Sequence, residues 1–311
     1  MPQTHHNTQE EIHLGRRVTW VGFWTNVGLS VLKIITGIIG RSSAMIADGI
    51  HSASDLITDI VVIAVLGISR RRPDASHSYG HGKIETFASF IISLLLGGVA
   101  IGIAIEGVEK IIAVAEGEIL PRPGWIALAM GVVSVVAKEW LFRYTRSAAR
   151  KIGSSAMEAN AWHHRSDAYS SIATIVGIAG AMFLGDKWRI LDPVAAIFVG
   201  ILILVMAYRL GRDAVGELVE TSLPHDETNR IKEIIAGTPG VISYHNLRTR
   251  RNGRQNIIDV HIYLQPSISL VEAHTIATHV ERRLRTALAE VSANIHMEPN
   301  PKSPDNTSSP K

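Results

Sequence analysis

The 311 residues contain no cysteine. That excludes disulfide scaffolds, thiolate metal sites and thiol redox chemistry, so any metal site has to be built from His, Asp and Glu. Neither sign of charge is in large excess: 31 Lys and Arg stand against 28 Asp and Glu. The net charge is only +3, and the basic residues sit beside apolar runs, where they read as membrane-topology signals rather than as a nucleic-acid patch. No G-x-S-x-G nucleophile motif appears, and the first 17 residues are polar, without a hydrophobic leader. What the chain does have is apolar residues at 46% and 14 histidines. The apolar residues are unevenly spread: 18–210 carry long apolar runs, whereas 222–311 are polar. A membrane domain followed by a water-soluble one accounts for the mixture.

A helix needs about 20 apolar residues to cross a bilayer. Six segments approach this, near 18–40, 43–69, 86–113, 124–142, 156–184 and 190–210. The expected organisation is a cytoplasmic N-terminal segment (1–17), a six-helix transmembrane domain (18–211), a cytoplasmic α+β domain (212–298) and a disordered tail (299–311). Cationic residues flank one side of the spans: Arg16 and Arg17, Arg70 to Arg72 with Lys83, Arg143 to Lys151, Arg209 and Arg212. The opposite connections are poorer in them. The positive-inside rule then puts both termini in the cytoplasm. In the polar part, 226–237 and 270–288 have helical spacing, 241–250, 256–264 and 291–297 read as strands, and Arg251-Asn252-Gly253-Arg254 signals a hairpin.

Several spans are not bland. Lys33 lies in the first, and the second carries Asp48, His51, Asp55 and Asp59. The fifth carries His163, His164, Arg165 and Asp167. A charge at mid-bilayer costs roughly 2.5 kcal/mol or more, so each needs a partner or a wet cavity. On a helix, positions i and i+4 share a face, which pairs His51 with Asp55 and His163 with Asp167. Two imidazoles and two carboxylates can close a tetrahedral site for a borderline cation such as zinc. Binding requires neutral His and ionised Asp, so protons compete with metal, and His exchanges its proton near physiological pH. The alternative is that these groups only hydrogen-bond between helices; for Asp48 and Asp59 both readings stand. His164 points about 100° away from His163 and is read as a non-ligand.

Three stretches carry a family likeness: ADGIHSASD (47–55), HSYGHGKIE (77–85) and HHRSD (163–167). Together they resemble the cation diffusion facilitator family over about residues 12–298. The resemblance implies six-helix protomers paired as a homodimer in the plasma (bacterial inner) membrane, with a ferredoxin-like cytoplasmic domain. It implies metal/proton antiport by alternating access rather than enzymatic chemistry. The implied transport site is His51, Asp55, His163 and Asp167. His at position 51 resembles the zinc-transporting branch, while similar bacterial members also carry ferrous iron, cobalt or cadmium, and imidazole suits several first-row metals. A manganese carrier, or a non-transporting sensor with the same fold, is the alternative reading.

Two further sets lie outside the spans. Asp74, His77 and His81 form a candidate loop site, against a loop docked by hydrogen bonds. His245, His261, His274, His296 and Glu298 form a candidate metal set in the cytoplasmic domain, where zinc would also bind, against scattered surface histidines. By resemblance, Lys83 pairs with Glu220 and ties the two domains together; solvated surface charges are the alternative. A metal-dependent membrane hydrolase is disfavoured, because four ligands leave no open coordination position for water.

Overall fold

The structure is a computed structural model, and it describes residues 3–69, 71, 73–152, 154–253, 255–288 and 290–301. Six long helices come first: α1 (Gln3–Ile39), α2 (Ser43–Ser69), α3 (Gly82–Ala115), α4 (Trp125–Ile152), α5 (Ser155–Phe183) and α6 (Leu191–Leu218), with a 3-10 turn at Asp186–Ile190 before the last. Two short helices, α7 (His225–Ala236) and α8 (Leu270–Ala287), and three strands, β1 (Ser243–Asn252), β2 (Gln255–Leu264) and β3 (Val291–Pro299), follow in the order α7-β1-β2-α8-β3. Among the described residues, four helical stretches are long and apolar enough to cross a membrane: His13–Ile39, Gly82–Ala115, Trp125–Ile152 and Asp186–Leu218. The remaining two long helices, α2 and α5, carry Asp48, His51 and Asp55, and His163, His164 and Asp167, respectively.

The chain divides into two compact units. The first comprises Met1–Val61 and Ile91–Arg209. Within it α4 packs along α5 and α1. Small residues let the helices approach closely, the usual packing device where lipid removes the hydrophobic drive between helices. A Cβ at Gly49 of α2 would stand 2.9 Å from the backbone nitrogen of Ile34 on α1, and one at Gly131 of α4 would stand 2.7 Å from Ile175 Cγ1 on α5. A side chain at either position would force its neighbour to shift.

The second unit comprises Val62–Phe90 and Leu210–Lys311. Its sheet has the order β1-β2-β3, with β1 antiparallel and β3 parallel to β2. Ile258, Val260, Ile262 and Leu264 of β2 are buried with Ile231 and Ile235 of α7 and Val280 and Leu284 of α8. That period-2 face carries the core, and the intervening residues point the other way. Ser269 and Glu272 form a reciprocal capping box at the start of α8. Ser269→Ala is therefore expected to lower stability by about 1 kcal/mol, read as a shift of the denaturation midpoint.

Several boundaries depart from the sequence expectation. Helix α1 runs back into the polar N-terminal segment as far as Gln3, and α4 and α6 extend past their apolar runs to Ile152 and Leu218. Arg and Lys are good helix formers and no proline intervenes, so a helix need not stop where its hydrophobicity does. Strand β3 reaches Pro299, and Asn300 N–H donates to the Leu264 carbonyl at 2.9 Å. The start of the expected disordered tail thus belongs to the sheet edge, while 302–311 lie outside the described residues.

Candidate metal centre

In the first unit, α2 presents His51 and, one turn later, Asp55; α5 presents Asp167. One donor atom from each lies within 4.8 Å of the others. His51 and Asp167 are buried, at 6% and 7% exposure, while Asp55 is partly exposed. His51 Nδ1 is buried and has no hydrogen-bond partner. His163 stands apart from these three. Its ring is half exposed, with Nδ1 3.8 Å from Asp167 Oδ1. His164 is the buried member of the pair, and neither of its ring nitrogens has a hydrogen-bond partner.

Two buried lysines complete the charge pattern. Lys33 of α1 donates to Ser52 Oγ (3.1 Å) and Ser171 Oγ (3.0 Å) and pairs with Asp48 at 2.8 Å. Ser171 Oγ also donates to Asp48 at 2.9 Å. Asp48 is thus tied into a link between α1, α2 and α5, and it is not among the converging donors. The side chain of Asp59 lies outside the described residues. Lys138 of α4 donates to Asp167 Oδ2 at 2.7 Å, with both side chains buried. Sequence reading passed over Lys138, whose charge partner is on another helix, 29 positions away. The signal was a lone cation after the apolar Val135, Val136 and Ala137, since such a charge demands a partner.

In the second unit, donor atoms of Asp74, His77 and His81 also lie within 4.8 Å of one another. The loop is shaped by Asp74: its Oδ1 accepts from Ser76 Oγ (2.7 Å), His77 N (2.8 Å) and Ser76 N (2.9 Å). Asn252 Nδ2 donates to the Tyr79 carbonyl at 2.8 Å and docks the loop on the hairpin. The Ser76 hydroxyl first, then the two backbone donors, hold the Asp74 carboxyl down at about 2. Because the folded value is depressed, these bonds act in full above the ordinary Asp range and are lost as pH falls toward about 2. An NMR titration is expected to show Asp74 ionised at pH 3; half-protonation near its ordinary value of 3.8 would refute the turn.

Glu220 accepts from Lys83 at 3.0 Å and from Arg250 at 2.5 Å. Arg250 is a partner that the sequence did not reveal, because it comes from β1. Both bonds, with Lys83 the larger cause, lower the Glu220 carboxyl.

The sheet aligns the remaining histidines. His245 of β1 pairs in register with His261 of β2, and His261 with His296 of β3, so three imidazoles line one row on the face away from α7 and α8. Glu298, two residues beyond His296, reaches back to this row. Its Oε1 lies 2.7 Å from His261 Nδ1 and its Oε2 3.0 Å from His245 Nε2. His245, His261 and Glu298 form a three-donor group. His296 flanks it, its Nε2 3.8 Å from Glu298 Oε1. His274 sits on the exposed face of α8 and belongs to none of the metal-capable groups among the described residues of the single chain. Hydrogen bonding to His261, then to His245, lowers the Glu298 carboxyl.

Comparison with known proteins matches both parts of the chain. Residues 19–219 match the family model described as the cation efflux transmembrane domain, and 223–300 match that of the cation efflux protein cytoplasmic domain. Metal tolerance protein C1 of Arabidopsis thaliana is 34% identical over 310 residues, covering 96% of this chain; the chain spans 65% of that relative's length. The manganese efflux system protein MneP of Bacillus subtilis is 31% identical over 295 residues, 93% of this chain and 98% of the relative. The cation-efflux pump FieF of Escherichia fergusonii is 29% identical over 271 residues, 87% and 88% of the two chains. With both halves matched and long relatives above 30% identity, this chain belongs to the cation diffusion facilitator family of metal transporters and is not an enzyme.

Proposed function

We propose that the chain exports a divalent cation, zinc foremost, in exchange for protons, with His51, Asp55, His163 and Asp167 as the transport ligands. The observation that carries this reading is the convergence of His51, Asp55 and Asp167 from two helices, with His51 and Asp167 buried and Asp55 partly exposed. His163 lies one turn before Asp167 on α5 and supplies the fourth donor. Two nitrogens and two oxygens suit zinc. Each ligand binds metal only in its unprotonated form, so a proton gradient and a metal gradient meet at the same atoms. Access alternates between the two sides of the membrane. The basic flanks of the spans support cytoplasmic termini and a plasma-membrane location.

Manganese is the second reading, favoured by the relative named for manganese efflux. Imidazole from His51 argues against it, since manganese is better suited by carboxylate and carbonyl oxygens. Zinc flux into proteoliposomes under an opposing pH gradient tests the proposal. Asp55→Ala is expected to abolish it. Zinc flux in that variant at the wild-type rate would reject the site, and manganese carried in strong preference to zinc would reject the selectivity.

The cytoplasmic cluster supports zinc binding as well. His245, His261 and Glu298 offer two imidazoles and a carboxylate on one rigid sheet, a donor set that fits that ion, and we assign them to a regulatory site within a homodimer. The loop residues Asp74, His77 and His81 are assigned to a second capture site. Lys83 and Glu220 fasten the start of α3 to the segment after α6. Glu298→Gln is expected to reduce zinc stoichiometry in calorimetry on the full chain while flux through the transport site persists; unchanged stoichiometry would count against the assignment.

A further inference from the structure

We propose that Lys138 is a positioning residue of the metal centre, whose ammonium holds Asp167 and keeps one positive charge inside the site so that a bound dication can leave. The inference rests on the transport-site reading above and adds a residue to it.

The geometry sets Lys138 apart from an ordinary structural ion pair. Lys33 is satisfied by a carboxylate and two serine hydroxyls, and its acid, Asp48, takes no part in the converging donors. Lys138 instead donates to the one acid that α5 supplies to the cluster. It occupies Oδ2 of Asp167, while Oδ1 lies on the side of His163. The bond therefore fixes the carboxylate plane and commits one oxygen to the ammonium. Asp167 is left to offer metal a single oxygen rather than a bidentate grip, which suits a four-coordinate ion.

Charge is the second argument. With both carboxylates ionised, Asp55 and Asp167 together carry two negative charges. A dication alone would neutralise them into a fully compensated complex. Away from bulk water the attraction between fixed opposite charges is several times its value in water, so such a complex holds its metal tightly. Lys138 adds one positive charge next to Asp167 and weakens the hold on every dication. A carrier gains from that weakening, because binding tighter than the opposing gradient can reverse lowers turnover. Burial matters too: Lys138 is 2% exposed, so its charge is screened far less than a surface charge.

The test compares Lys138→Gln, which keeps a hydrogen-bond donor without charge, with Lys138→Arg, which keeps the charge. Zinc affinity is measured by calorimetry on the full chain in detergent, and zinc flux in proteoliposomes. The Gln variant is expected to bind zinc at least tenfold more tightly and to transport it at least tenfold more slowly at saturation, with the half-saturating concentration falling. The Arg variant is expected to restore both toward wild type. A structural role alone would lower affinity and flux together, so weakened or unchanged affinity in the Gln variant overturns the proposal. Should the metal-free Gln variant be too unstable to purify, the protein is prepared with zinc and transferred to chelator: slower zinc release than wild type supports the proposal, and equal or faster release overturns it. Asp167→Ala run in parallel separates the two readings. If it keeps wild-type zinc stoichiometry, the transport-site reading fails; if it loses one zinc while Lys138→Gln binds as wild type does, only the role of Lys138 fails.

Discussion

Asp167→Ala is expected to reduce metal flux by ~100-fold or more. Loss of a residue that merely orients a metal ligand costs about 10–100-fold, and Asp167 is assigned as a direct ligand. The substitution has a second consequence. Lys138 loses the carboxylate 2.7 Å away and is left as a buried ammonium without a counter-charge, a change that destabilises by about 3–5 kcal/mol. The two effects separate in a double variant. Lys138→Met combined with Asp167→Ala removes the orphaned charge and is expected to recover most of the thermal stability but none of the flux. Flux that returns together with stability would show that Asp167 acts only as a partner for Lys138.

Asp48→Ala is expected to behave in the opposite way. It leaves Lys33, which is 0% exposed, with only Ser52 and Ser171 as hydrogen-bond partners. The penalty for a buried unpaired charge is again about 3–5 kcal/mol, read as a lower melting temperature in detergent. Zinc stoichiometry is expected to stay at the wild-type value in whatever fraction remains folded, because Asp48 is outside the converging donors. Replacing both partners with apolar residues, Lys33→Met with Asp48→Leu, is expected to regain much of the stability, since apolar residues of similar volume substitute well for a buried pair. A single variant that melts with wild type would show that the ion pair contributes nothing. A variant that loses one bound zinc while fully folded would return Asp48 to the ligand set.

Both acids lie within about one turn of a histidine: Asp48 precedes His51 by three residues on α2, and Asp167 follows His163 by four on α5. Sequence spacing treated Asp48 as ambiguous and Asp167 as a ligand. Helix periodicity was enough to put His51 and Asp55 on one face, because residues i and i+4 are neighbours whatever the tertiary fold. That Asp48 meets Lys33 of α1 and Asp167 meets Lys138 of α4 depends on how those helices pack, which no local pattern encodes. The cytoplasmic histidines follow the same logic. His245, His261 and His296 belong to three strands, and their shared row exists only because the β1–β2 and β2–β3 registers bring them level. His274 has a similar sequence context but sits on the exposed face of a helix, away from that row.

By itself, then, the sequence determined the long helices, the α7-β1-β2-α8-β3 order and the paired His and Asp positions on α2 and α5. Hydrophobic run length, apolar period and turn residues are local quantities, fixed by the backbone geometry of a few consecutive residues. The tertiary structure alone decided which charges meet: Lys138 with Asp167, Lys33 with Asp48, and Arg250 with the Lys83–Glu220 pair. Ion pairs between distant segments form because a buried charge must find its opposite, but which opposite it finds depends on how the helices and strands pack.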